Sequence, residues 1–129
     1  IAASARPGIE HAVAHARLGW WLEEAGALAA GRARHPVGRQ LAAAFTERGL
    51  SPPDLRGLVE TARLDLACTA FESGPEYAEY LAGWARGLFR NLALRLAPDA
   101  GVRGDVERFG NAAGAAVRDI ELVARLARD

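Results

Sequence analysis

The stretch IEHAVAHARLGWWLEEAGALAA, residues 9–30, decides the fold. Ile9, Val13, Ala16, Trp20, Trp21, Ala25 and Leu28 recur in it at three- and four-residue spacing, the period of an amphipathic helix. Gly31 follows at once and is a natural stop for a helix over Ile9–Ala30. Nothing in the stretch alternates polar and apolar for long, so it does not read as a strand.

The same pattern repeats along the chain. His35-Pro36 opens a second helix, with Pro in the first turn where its missing N–H costs nothing. That helix carries Val37, Leu41, Ala44 and Phe45 and ends at Gly49. Ser51-Pro52-Pro53-Asp54 and Ser73-Gly74-Pro75-Glu76 each set a hydroxyl three residues before a carboxylate, the capping-box pattern of a helix start. The first precedes Leu55, Leu58, Val59, Ala62 and Leu66. The second precedes Tyr77, Leu81, Trp84, Leu88 and Leu92, with Pro98 as the stop. A last helix runs from Arg103 to the chain end with an apolar stripe of Val106, Phe109, Ala113, Ala116, Val117, Ile120 and Val123. The expectation is an all-α fold of about five amphipathic helices in a single domain over residues 1–129. The small residues Gly110 to Ala116 cost helix stability and are read as a place where another helix comes close.

Composition narrows the function. The 129 residues carry sixteen basic and sixteen acidic side chains, a formal net charge of zero. That removes the bulk attraction that nucleic acid or an anionic membrane would require. Every basic residue is Arg. Cys68 is the one cysteine, so no intrachain disulfide forms, and it reads as a small core residue in a reducing, cytoplasmic setting. No apolar run is long enough to span a membrane, although peripheral membrane association stays open. The chain starts at Ile1 and contains no Met, so it is expected to be a piece of a longer protein.

Four groups of residues have chemistry to weigh. His11 and His15 share a helix face, but a zinc site wants a third or fourth ligand at suitable spacing and none is evident. The Trp20-Trp21 pair points in two directions, so one ring can fill the core while the other sits at its edge; core packing is favoured over the lining of a greasy ligand cavity. Asp65, in Arg63-Leu64-Asp65-Leu66, either pairs with Arg or binds a cation. Arg86, Arg90, Asn91 and Arg95 form a solvated or phosphate-facing row.

Read in order, three fragments resemble the squalene/phytoene synthase family. The first is Ala16-Arg17-Leu18-Gly19-Trp20-Trp21-Leu22-Glu23-Glu24, followed by Gly31 and His35-Pro36-Val37, similar to the family's K/R-L-x-W-W-x-x-E helix and its H-P-V. The second is Arg63-Leu64-Asp65-Leu66, with Tyr77 and Tyr80 beyond it. The third runs from Gly110 to Val117-Arg118-Asp119-Ile120, similar to the family's Q-L-T-N-I-L-R-D-V helix.

The resemblance implies an isoprenoid-synthase helical fold and Mg²⁺-dependent, head-to-head condensation of prenyl diphosphates. The metal bridges carboxylates to diphosphate oxygens, so that the leaving group ionises. It implies Asp119 and Asp65 as catalytic carboxylates, Asp119 as a metal ligand, and Arg118, Tyr80 and Trp20 as substrate or diphosphate contacts.

The sequence departs from the pattern. Val123 stands where a second acid would follow Asp119 by four residues. Ala112 and Ala115 replace the family's Gln and Asn, and Arg86 and Phe89 fall where small residues make room for prenyl tails. The family's first Asp-rich motif would lie before Ile1. The expectation is a divergent member with weak or no transferase activity that binds a prenyl diphosphate or other lipid-like ligand, with Mg²⁺ as cofactor if it is active. The rivals are an active transferase and a non-catalytic helical assembly or interaction protein, with a protein partner or self-association.

Overall fold

A computed structural model describes residues 11–67, 70–97 and 100–128. The expectations on Ile9 as helix start, Cys68 as core residue and Pro98 as helix stop lie outside the described residues. Those described are helical, with turns and loops between and no strand. None of the described helices is long and apolar enough to cross a membrane. The chain divides into two compact units, residues 1–70 and 71–129.

The first unit contains α1 (His11–Ala29), α2 (Pro36–Thr46) and α3 (Arg56–Ala67). Its core is Leu18, Ala25 and Val59, against which Trp21, Leu22, Leu55, Ala62 and Leu66 pack. The inward line of α1 is therefore Ala14, Leu18, Ala25 and Leu28. Val13, Ala16 and Trp20, expected on the core stripe, are exposed. Apolar residues surround so much of this helix that spacing alone did not pick the face.

Both glycine stops hold. Gly31 and Gly49 take φ of 70° and 65°. Each closes its helix with the paired hydrogen bonds of a Schellman turn. Arg32 N–H donates to the Ala27 carbonyl at 2.7 Å and Gly31 N–H to Leu28 at 2.9 Å, while Leu50 and Gly49 repeat the pattern on Phe45 and Thr46. His35 caps α2 through Nδ1, which accepts from Val37 N–H at 3.2 Å. The start of α3 differs from expectation. Two prolines keep Ser51 away from the helix, and Asp54 Oδ1 accepts from Arg56 N–H at 3.0 Å instead.

The second unit contains α4 (Gly74–Ala85), a π turn (Arg86–Arg90), α5 (Asn91–Leu96), a short 3₁₀ turn (Ala100–Val102) and α6 (Arg103–Leu126). The π turn joins α4 to α5 without a break in helical backbone angles, so the two form the single fourth helix that the sequence predicts. Its start is a working capping box. Ser73 Oγ accepts from Glu76 N–H at 3.3 Å, and Glu76 Oε2 reaches back to Glu72 N–H at 2.7 Å.

Here α6 lies along α4, the π turn and α5. The contact line is Gly110, Gly114 and Arg118, the buried residues of α6. A Cβ on Gly114 would stand 2.8 Å from the Cβ atoms of Ala85 and Phe89, and one on Gly110 would stand 2.8 Å from the Arg90 Cα. The small-residue stretch is thus a site of close helix approach, as expected. The predicted apolar stripe of α6 is not the packing face: Phe109 is 71% and Ile120 68% exposed, and Val117 and Val123 are exposed too. The fourth helix is shifted likewise, with Tyr80, Gly83, Gly87, Asn91 and Leu94 inward and Leu88 and Leu92 outward.

Candidate functional site

The chemistry-bearing residues gather on the α4–α6 interface of the second unit. Tyr77, Tyr80 and Trp84 lie three and four residues apart on α4 and so share a face. The Tyr77 and Tyr80 rings stack with centroids 6.2 Å apart, and Phe71 packs against both, at 5.2 and 4.9 Å. Trp84 extends the wall toward Phe89 at 5.2 Å.

From α6, Arg118 enters this wall and is 4% exposed. Its Nε and Nη2 donate to the Tyr80 hydroxyl at 3.0 and 2.6 Å, and its Nη1 donates to Glu121 Oε2 at 3.1 Å. Its guanidinium carbon stands 5.6 Å from the ring centres of both Tyr80 and Trp84. Because it bonds the Tyr80 hydroxyl, the guanidinium lies beyond the edge of that ring, and a cation–π gain is available to it from Trp84. The sequence expectation paired Arg118 and Tyr80 as ligand contacts. The structure brings them together, each on the other.

Asp119, one residue on, is exposed and accepts a short hydrogen bond on Oδ1 from the Tyr77 hydroxyl. That bond, then burial and the charge of Asp119, raise the Tyr77 pKa above its ordinary value. Four residues further along the helix stands Val123, 61% exposed and unable to ligate a metal. Among the described residues, no three His, Cys, Asp or Glu side chains gather to hold an ion. A Mg²⁺ site needs several hard oxygen ligands. Asp119 offers one carboxylate, already engaged by the Tyr77 phenol, and Val123 adds no donor beside it.

Asp65 and Trp20 lie in the first unit. Asp65 is exposed on α3. Trp20 is 42% exposed on α1 and meets Trp21 edge-on at 4.8 Å and His35 at 5.9 Å. The Trp-Trp motif has a local reason that runs through Glu24. This carboxylate is buried, and its Oε1 accepts from the backbone N–H groups of Arg34 and His35, both at 2.7 Å, while Oε2 pairs with Arg34 Nε at 3.3 Å. The His35 N–H and then the Arg34 donors hold its pKa below the ordinary carboxylate value, against the opposing effect of burial. Glu24 thus fixes the loop that sets His35 against Trp20 and Trp21.

The row expected on the fourth helix is broken at Asn91, which is buried, while Arg86 is exposed and Arg90 and Arg95 are half-buried. Arg86 pairs with Glu79 at 2.5 Å and Arg90 with Glu107 at 3.3 Å. Asn91 turns inward, and its Nδ2 donates to the Arg86 and Gly87 carbonyls of the π turn at 3.2 and 3.1 Å.

Sequence reasoning missed Tyr77 as the partner of Asp119, Glu121 as the partner of Arg118, and Glu24 as a loop anchor. The i,i+3 spacing of Arg118 and Glu121 was a signal for the second. The first and third needed the tertiary fold.

The squalene/phytoene synthase family model matches residues 2–129. No curated protein and no solved structure matches the chain.

Proposed function

The chain belongs to the squalene/phytoene synthase family, and on that premise we propose that it is a divergent member that binds a prenyl diphosphate or another lipid-like molecule without carrying the family's condensation through efficiently. The observation that carries this reading is the state of Asp119. Its carboxylate accepts from Tyr77, and Val123 occupies the position that would have to supply a second ligand. Ala112 and Ala115 add no oxygen donors to the same helix. Members of the family use Mg²⁺ to draw off diphosphate, and this half of the machinery is the one altered here.

What supports retained ligand binding is the aromatic wall of Phe71, Tyr77, Tyr80 and Trp84, which gives an apolar, polarisable surface for an isoprenoid chain. In this reading Arg118, Tyr80 and Trp20 remain the candidate ligand contacts, and Asp119 and Asp65 the candidate carboxylates. Arg118 would meet a diphosphate only by trading Tyr80 or Glu121 for it, a cost that a guanidinium in an open site would not carry.

Titration of the chain with farnesyl diphosphate by calorimetry, with and without Mg²⁺, tests the reading. Binding that is insensitive to Mg²⁺, with no release of pyrophosphate, is the expected result. Tight binding that depends on Mg²⁺, or turnover abolished by Asp119→Ala, overturns it.

A second reading, a helical assembly or interaction protein, is favoured by one observation. The outer face of α6 presents Phe109, Ile120, Val123 and Leu126, each more than half exposed. Apolar side chains in such a row are common at protein contacts.

A further inference from the structure

The imidazoles of His11 and His15 stand apart from everything described so far. They lie one turn apart on α1, and their Nε2 atoms are 3.0 Å from each other. The rings meet edge-on, with centroids 4.5 Å apart at 75°. At that distance one imidazole N–H donates to the other ring nitrogen, so a bound ion would take the place of the shared proton; the pair lies on the outside of the helix, with His11 exposed and His15 half-buried.

We propose that His11 and His15 form a two-imidazole chelate for a first-row divalent transition metal, Zn²⁺ or Ni²⁺. Two nitrogens bound to one ion at about 2.0–2.1 Å are separated by ~2.9 Å at a right angle and ~3.4 Å at the tetrahedral angle. The observed spacing falls within that bite, and the helix backbone holds both ligands on one face without further ordering. Imidazole nitrogen suits Zn²⁺ and Ni²⁺, whereas Mg²⁺ takes oxygen, so this chemistry is separate from the family's metal. Two protein ligands leave open positions on the ion. His15 also lines a groove of about 370 Å³ between α1 and α3, together with Glu60, Arg63, Leu64 and Ala67. Water or a small anion drawn by Arg63 is the ligand class that completes the shell there.

The test is calorimetry of the full chain with ZnCl₂ and NiCl₂, with the imidazole resonances followed by NMR. One ion per chain is expected, with the His11 and His15 resonances broadened selectively by Ni²⁺. Both variants, His11→Ala and His15→Ala, should weaken binding at least about tenfold because each destroys the chelate, while His35→Ala and excess Mg²⁺ leave it unchanged. Circular dichroism confirms that the variants stay folded. No binding, binding that survives either His substitution, or equal loss in His35→Ala overturns the proposal.

Discussion

A phenol that donates to a carboxylate resists ionisation, and Tyr77 makes that visible. Its pKa is raised chiefly by the hydrogen bond to Asp119. The linkage sign follows: the stabilisation is fully present below the ordinary tyrosine value of about 10 and is lost as pH rises through the raised one. In an absorbance titration of the phenolate band, Tyr77 should ionise late, and Asp119→Asn should bring it back toward the ordinary value. Tyr77→Phe should cost about 1 kcal/mol in a denaturant melt, less than a buried bond to a charged group because Asp119 is exposed. Glu24 has the opposite sign. Its lowered pKa stabilises the fold above the ordinary carboxylate range and loses that contribution as pH falls through the lowered value. Glu24→Gln should therefore lower the melting temperature at neutral pH, and the gap from wild type should close in acid. Both residues lay within motifs that the sequence made conspicuous. Their pairings were not legible, because Tyr77 and Asp119 are 42 positions apart and the Glu24 contacts are largely to backbone, which leaves no trace in residue type.

At the scale of the helix, glycine separates two kinds of position. Gly110 and Gly114 sit where a Cβ would press to 2.8 Å on the opposing helix, whereas Gly19 and Gly26 on α1 have nothing within 4 Å. Gly19→Ala and Gly26→Ala should each add up to about 1 kcal/mol through helix propensity alone. Gly110→Ala and Gly114→Ala should instead destabilise by roughly 1–3 kcal/mol, since the overpacking outweighs the same propensity gain. Chemical denaturation of the four variants checks both signs. The contrast also explains what the sequence could and could not tell. Helix number and both glycine stops were legible because caps and turns are written in local residue types. The buried face of α6 was not, because two glycines and an arginine pack there, and a search for apolar periodicity points to larger side chains such as Phe109 and Val117, about a quarter of a turn away.

For the molecule as a whole, all-α class and family membership were readable from motif order, while the candidate site was readable in part. Arg118, Asp119 and Tyr80 were named from the sequence and do meet at one interface. That they satisfy one another and Tyr77, rather than pointing at an empty site, depends on how α6 is set against α4. The outer apolar row of α6 gives a prediction at this scale. Sedimentation velocity over a concentration series should show association, and Phe109→Glu or Ile120→Glu should reduce it while leaving the helical signal intact, since both side chains are exposed.

The π turn at Arg86–Arg90 holds one residue more than an α-helical turn would. A wider turn rotates less per residue than the roughly 100° of an α-helix, so it absorbs the extra residue without turning α5 away from the line of α4. Removing a single residue there would let the segment close into an uninterrupted α-helix with Asn91 and Leu94 still inward. The segment therefore carries the geometry of an insertion, and a deletion within it is expected to be tolerated where a deletion elsewhere in α4 or α5 would turn the buried face outward.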